Sequence, residues 1–194
     1  MRESQRVRAT SETDITVSLV LDGSGRVEVA TGVPFFDHML DAFGRHGLFD
    51  LTVDARGDIE IDAHHTVEDV GIVIGSAIAE ALGDKAGIAR FGSAVIPMDE
   101  ALVLAAIDLS GRGGLYWDVE LPIEIIGTFD TTLAKEFLIA LAMNAGLTLH
   151  VRSLAGENAH HIIEAAFKAV ARALAQAVAL DPRVVGVPST KGAL

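Results

Sequence analysis

Apolar positions along the chain follow two periods, a short alternation and a longer recurrence every three or four residues, and together they divide the sequence into elements. Residues 15–21 and 27–30 alternate, and Asp22-Gly23-Ser24-Gly25 between them forms turns readily, which predicts an antiparallel strand pair. After Pro34, the side chains Phe36, Met39, Leu40 and Phe43 stand at helical spacing, with Gly44 or Gly47 as the stop. Residues 48–54 and 59–62 read as strands around Gly57-Asp58. From Ala63 onward, Val67, Val70, Gly71, Ile74, Ile78 and Leu82 mark one face of a long amphipathic helix closed by Gly83. The second half follows the same plan: strands over 101–109 and 115–121, a helix over 131–145, a strand over 147–154 and a long helix over 159–179.

Shifting the first long helix by 96 positions lays AHHTVEDVGIVIGSAIAEAL over AHHIIEAAFKAVARALAQAV. Val67 falls on Ile163, Ile74 on Val170, Ile78 on Leu174 and Leu82 on Val178, so the core stripes superimpose. Matching element order with matching stripes is what a tandem duplication leaves behind. The expected class is α+β: a duplicated sheet-plus-two-helices unit, each a two-layer α/β sandwich, with the halves at 1–90 and 91–194 and a tight connection over 85–91.

Composition narrows the chemistry. Half of the 194 residues are hydrophobic and 22% are charged, which excludes disorder driven by low hydropathy. A formal net charge of −12 argues against nucleic-acid phosphates and anionic membranes as partners. With no Cys, thiolate metal sites, disulfides and Cys nucleophiles are all excluded, so any metal must be held by His and carboxylate. The start, MRESQRVRATSET, has no apolar targeting core, and no apolar run nears the roughly 18 residues that span a bilayer, so the expected location is the cytoplasm.

Each long helix opens on His-His-x-x-Glu: His64, His65 and Glu68, then His160, His161 and Glu164. At about 100° per residue, the first His and the Glu lie about 40° apart and can share one ion, while the second His diverges by about 100°. With His38 and His150 the inventory is six His and two Glu, enough for three imidazoles and one carboxylate on each of two ions. Such donors suit manganese, iron, nickel or zinc, and unfilled positions point to catalysis. Asp69 is a candidate acceptor behind a ligand His, and His46 is read as structural. Arg90, Arg112, Lys168, Ser189 and Lys191 are suited to a phosphate, although PSTKG lacks P-loop glycine spacing. Glu12 and Asp99 are candidates for proton transfer. A binuclear metallohydrolase acting on a small phosphoester, or a metal-storage shell, would draw on the same ligands.

The strings TSETDITVSL, FFDHML, DAHHTVEDVG, ALGDKAGIARFG, PMDEAL, DLSGR, TLHV, NAHHIIEAAFKA and PSTKG, in this order, resemble the imidazoleglycerol-phosphate dehydratases of histidine biosynthesis. The likeness runs from Arg6 to the C-terminus, with Gly113 standing where Pro is common. It implies a ribosomal-protein-S5 domain 2-like fold, two Mn2+ per active site and a 24-subunit shell built from trimers. His38, His64, His65, Glu68, His150, His160, His161 and Glu164 match the metal ligands, which the family gathers from neighbouring subunits. Glu12 matches a substrate-binding and catalytic carboxylate, Asp99 is a second catalytic candidate, and Arg90, Arg112, Lys168, Ser189 and Lys191 match phosphate and substrate contacts. The implied reaction turns D-erythro-imidazoleglycerol phosphate into imidazole acetol phosphate. No carbonyl acidifies the C–H that must be lost. The resemblance therefore implies a metal-bound imidazolate that expels hydroxide and passes through a diazafulvene intermediate.

Overall fold

The computed structural model describes residues 2–192. The first half contributes β1 (Glu3–Ala9), β2 (Thr13–Val20), β3 (Val27–Ala30), α1 (Pro34–Gly47), β4 (Asp50–Gly57) and α2 (His64–Leu82). The second half repeats that order as β5 (Phe91–Met98), β6 (Ala101–Asp108), β7 (Gly114–Asp118), α3 (Leu133–Ala145), β10 (Thr148–Ala155) and α4 (Ala159–Val178). A small hairpin, β8 (Ile125–Ile126) and β9 (Phe129–Asp130), is inserted before α3. The sheets run β1-β2-β4-β3 and β5-β6-β10-β7, one topology used twice, as the duplication requires.

Alternation explains which strands the sequence reveals. In β2, Ile15, Val17 and Leu19 point inward, and in β6, Ala101, Val103, Ala105 and Ile107 do the same. The edge strands β1 and β5 are largely exposed or half-exposed, so the hydrophobic pattern misses them; the Glu3, Arg6 and Arg8 of β1 suit an edge.

Two expectations are corrected. β2 and β3 are not a hairpin: β3 pairs parallel with β4, on the far side of β4 from β2. The cause lies at Asp50, whose carboxylate accepts from the Ser24 N–H at 2.7 Å, from the Arg26 N–H at 3.0 Å and from Arg26 Nη2 at 2.7 Å. That lays residues 22–26 across the start of β4, and α1 then supplies the crossover that a parallel β3–β4 pair needs. Residues 59–62 alternate like a strand but form a turn, with the Ile61 N–H donating to the Asp58 carbonyl at 2.8 Å.

The halves join through their helices. α2 lies on β1 and β2 and packs along α3; α4 lies on β5 and β6 and packs along α1. Gly71 and Gly75 make the first seam possible: a Cβ at either would sit 2.7 Å from the Phe137 carbonyl oxygen or 2.6 Å from that of Leu141. Phe36, Phe137 and Phe167 bridge the helices, with Phe137 and Phe167 stacked at 5.2 Å. Each such fully buried ring contributes about 1.5–3 kcal/mol of apolar burial. Among the described residues, no helix is long and apolar enough to cross a membrane.

Candidate functional site

The first turn of α4 is set by Asn158, whose side-chain oxygen accepts from the His161 N–H at 3.3 Å. Helical geometry then places His160 and Glu164 on one face, with Nε2 and Oε2 3.1 Å apart. Because α1 packs along α4, His38 arrives from the first half with its Nε2 3.4 Å from the same oxygen. Donor atoms of His38, His160 and Glu164 all lie within 4.8 Å of one another. Glu164 is 6% exposed, and its other oxygen, Oε1, accepts from Lys168 Nζ at 2.6 Å. Burial pushes its carboxyl up, but the Lys168 hydrogen bond and charge, with His38 and His160, outweigh burial and hold it below the usual range. The Phe35 ring stands edge-on to His160 at 5.0 Å. An anionic oxygen facing two imidazoles, its twin fixed by an ammonium, suits a divalent cation.

The matching motif on α2 is laid out differently. His64 Nε2 lies 3.7 Å from Glu68 Oε2, and among the described residues no third donor joins them. His64 instead borders a cleft of about 510 Å³ lined also by Ile59, Ile61, Asp62, Ile125 and Thr128. His150 stays out of the cluster, projecting from the exposed face of β10 and stacking on Tyr116 with centroids 4.5 Å apart.

The second histidines meet carboxylates. His65 Nδ1 is 3.0 Å from Asp58 and 3.8 Å from Glu12; His161 Nδ1 is 2.6 Å from Glu100, and its Nε2 is 3.7 Å from Asp99. The hydrogen bonds that the two imidazoles donate to Asp58 and Glu100 raise both rings above their ordinary value. Those from His161 and from the Asn158 N–H lower Glu100 to about 2. Neither Asp58 nor Glu100 stood out in the sequence; the signal available was acid-rich DIEID and the Glu beside Asp99. Asp69, expected behind a ligand histidine, accepts instead from Arg8 Nε at 3.0 Å and Thr13 Oγ1 at 2.5 Å, tying β1 and β2 to α2.

Of the residues suited to phosphate, Arg90 meets the C-terminal segment, its Nη1 donating to the Pro188 carbonyl at 2.8 Å, one residue before Ser189. Its Nε and Nη2 hold Asp108 at 2.7 and 3.1 Å. Ser189 Oγ accepts from the Lys191 N–H at 3.2 Å. Lys168 is engaged with Glu164, and Arg112 is exposed in a separate loop whose N–H donates to Ser110 Oγ at 3.3 Å. One chain thus brings together three of eight candidate ligands and part of the cationic set.

The family model for imidazoleglycerol-phosphate dehydratase matches residues 31–174. A relative of that name from Desulforamulus reducens is 61% identical over 193 residues, covering 100% of this chain and 98% of its own length. Another from Symbiobacterium thermophilum is 62% identical, with 100% and 93% covered. The crystal structure of the Staphylococcus aureus imidazoleglycerol-phosphate dehydratase superposes with a TM-score of 0.84 at 40% identity, covering 92% of this chain and 99% of that one. The Pyrococcus furiosus enzyme superposes with a TM-score of 0.85 at 40% identity, covering 97% and 100%. The chain belongs to the imidazoleglycerol-phosphate dehydratase family, the hydro-lyases of histidine biosynthesis.

Proposed function

We propose that this chain dehydrates D-erythro-imidazoleglycerol phosphate to imidazole acetol phosphate in the cytoplasm, using two manganese ions per active site in a 24-subunit shell built from trimers. The observation that carries the metal dependence is the convergence of His38, His160 and Glu164 within 4.8 Å. This donor set, two imidazoles and one anionic oxygen without thiolate, fits manganese. His64, His65, Glu68, His150 and His161 would complete the ligand set. Their separation within one chain favours a site shared between neighbouring subunits. When bound to the substrate's imidazole, the metals would supply the electron withdrawal and donation that let the ring carbon's neighbour lose its hydroxyl and make the next C–H acidic.

The chain's own residues account for the remainder. Glu12, in the β1–β2 turn near His65 Nδ1, takes the proton from that carbon, and Asp99, in the β5–β6 turn near His161 Nε2, is the second candidate for that role. Loss of water leaves an enol, which becomes the ketone product. Arg90, whose Nη1 donates to the carbonyl of Pro188 next to Ser189, would anchor the phosphate together with Ser189 and Lys191, and Arg112 and Lys168 would add positive charge.

Metal analysis and light scattering before and after chelation test this reading. Native particles should carry two ions per chain, and chelation should abolish ketone formation and shrink the particle, both restored by Mn2+. Full activity after complete metal removal overturns the metal-dependent reading; an unchanged mass overturns its link to assembly.

A further inference from the structure

His65 and His161 are each held at Nδ1 by a carboxylate that lies outside the helix carrying them. Asp58, in the turn after β4, is 3.0 Å from His65; Glu100, in the β5–β6 turn, is 2.6 Å from His161. These carboxylates are not copies of each other. Asp58 lies in the connection between β4 and α2, whereas Glu100 belongs to the first hairpin of its half, whose counterpart in the first half is the turn bearing Glu12. Simple inheritance at duplication would have left matching positions, so two different segments supply the same contact. Glu100 is itself fixed, since Oε1 accepts from the N–H groups of Glu157 at 3.3 Å and Asn158 at 3.0 Å while Oε2 faces the ring. Glu12, at 3.8 Å from His65 Nδ1, is too far to displace Asp58.

An ionised carboxylate only accepts hydrogen bonds, so Nδ1 carries the hydrogen and the ring lone pair lies on Nε2. The nearest acid to His161 Nε2, Asp99 at 3.7 Å, is beyond hydrogen-bond reach. We propose that Asp58 and Glu100 are positioning residues that fix the tautomer and ring orientation of His65 and His161, so that each offers Nε2 to a divalent cation. This rests on the metal-centre reading above. Partners of this kind also raise ligand basicity.

The test is calorimetric titration of Mn2+ into the chelator-stripped full chain. Asp58→Ala and Glu100→Ala should each weaken Mn2+ binding by about 10- to 100-fold. Glu100→Gln, whose amide oxygen can accept the same hydrogen bond, should restore most of that loss. If an alanine variant does not fold, Asp58→Leu and Glu100→Met, close in volume and unable to accept, carry the same expectation. His160→Ala removes a donor outright and tests the centre separately. Native affinity in the Asp58 and Glu100 variants, with His160→Ala impaired, overturns the positioning role and leaves the metal centre standing. A Glu100→Gln variant as weak as Glu100→Ala also overturns it, and absence of Mn2+ binding by the native chain overturns both readings.

Discussion

The two interhelical seams, α2 against α3 and α4 against α1, are related by the duplication yet do different work. In the first, Gly71 and Gly75 bring the α2 backbone against the Phe137 and Leu141 carbonyls, and no side chain of α3 reaches His64 and Glu68 as a third donor. In the second, the positions 96 residues on are Phe167 and Ala171, and α1 delivers His38 to His160 and Glu164. One copy of the helix pair became a backbone-tight joint and the other a convergence of donors. Repetition of a motif therefore repeats the ligands but not their completion, which depends on what the partnering helix carries.

The hairpin turns offer the sharpest way to break this contrast, because there each half sets a carboxylate near a motif histidine, but at different nitrogens: Glu12 lies 3.8 Å from His65 Nδ1 and Asp99 3.7 Å from His161 Nε2. Loss of a general base costs about 10² to 10⁴ in rate, and this is expected for Glu12→Gln. Asp99→Asn, which removes an exposed charge, should cost less than about tenfold. Ketone formation at saturating substrate, with calorimetry to show that Glu12→Gln still binds, decides between them. The reverse order of effects would move the proton-abstracting role to Asp99.

Next in size is an attack on the seams themselves. Gly71→Leu must push a side chain into the Phe137 carbonyl, and overpacking of this kind costs about 1–3 kcal/mol or more. Ala171→Gly in the other seam should cost only about 1 kcal/mol, the penalty of glycine in a helix interior. Thermal melts of the metal-free protein should order the two accordingly; a harmless Gly71→Leu would show that α2 and α3 can separate without loss.

Much of this was legible in the sequence, for physical reasons that also mark the boundary. The long helices, the inner strands β2, β4, β6 and β10 and the paired His-His-x-x-Glu motifs show plainly because burial on one face imposes a period. β1 and β5 leave no such period because their side chains are largely solvated or half-exposed, and the partner of β3 is hidden because only Asp50, far along the chain, reveals where residues 22–26 are laid. His38 is marked as a ligand by its place on the short helix and by the family likeness, but its joining of the α4 motif and not the α2 motif depends on helix packing across the halves. Asp58 and Glu100 were missed because acidic residues in turns are ordinary until a histidine is placed beside them.

The smallest expected effect compares the two motif carboxylates in metal-free protein. Glu164→Gln keeps an acceptor for Lys168 but loses charge assistance, and relief of carboxylate burial offsets part of that, so the expected cost at pH 7 is about 1 kcal/mol at most. Glu68→Gln, at a site where both members of the His64 pair are nearly half exposed, should stay within about 0.5 kcal/mol. The sign with pH follows from the folded-state carboxyl of Glu164 lying below its ordinary 4.5. As pH falls below that value the unfolded chain takes up the proton first, so the contribution, complete above it, is lost as pH falls through the folded-state value. Urea denaturation at pH 7 and at steps downward from 4.5 should therefore show the native protein losing stability more steeply than Glu164→Gln. Parallel acid limbs would mean that the Lys168 contact does not discriminate between charged and neutral Glu164, and the buried carboxylate on α4 would lose its electrostatic distinction from the exposed one on α2.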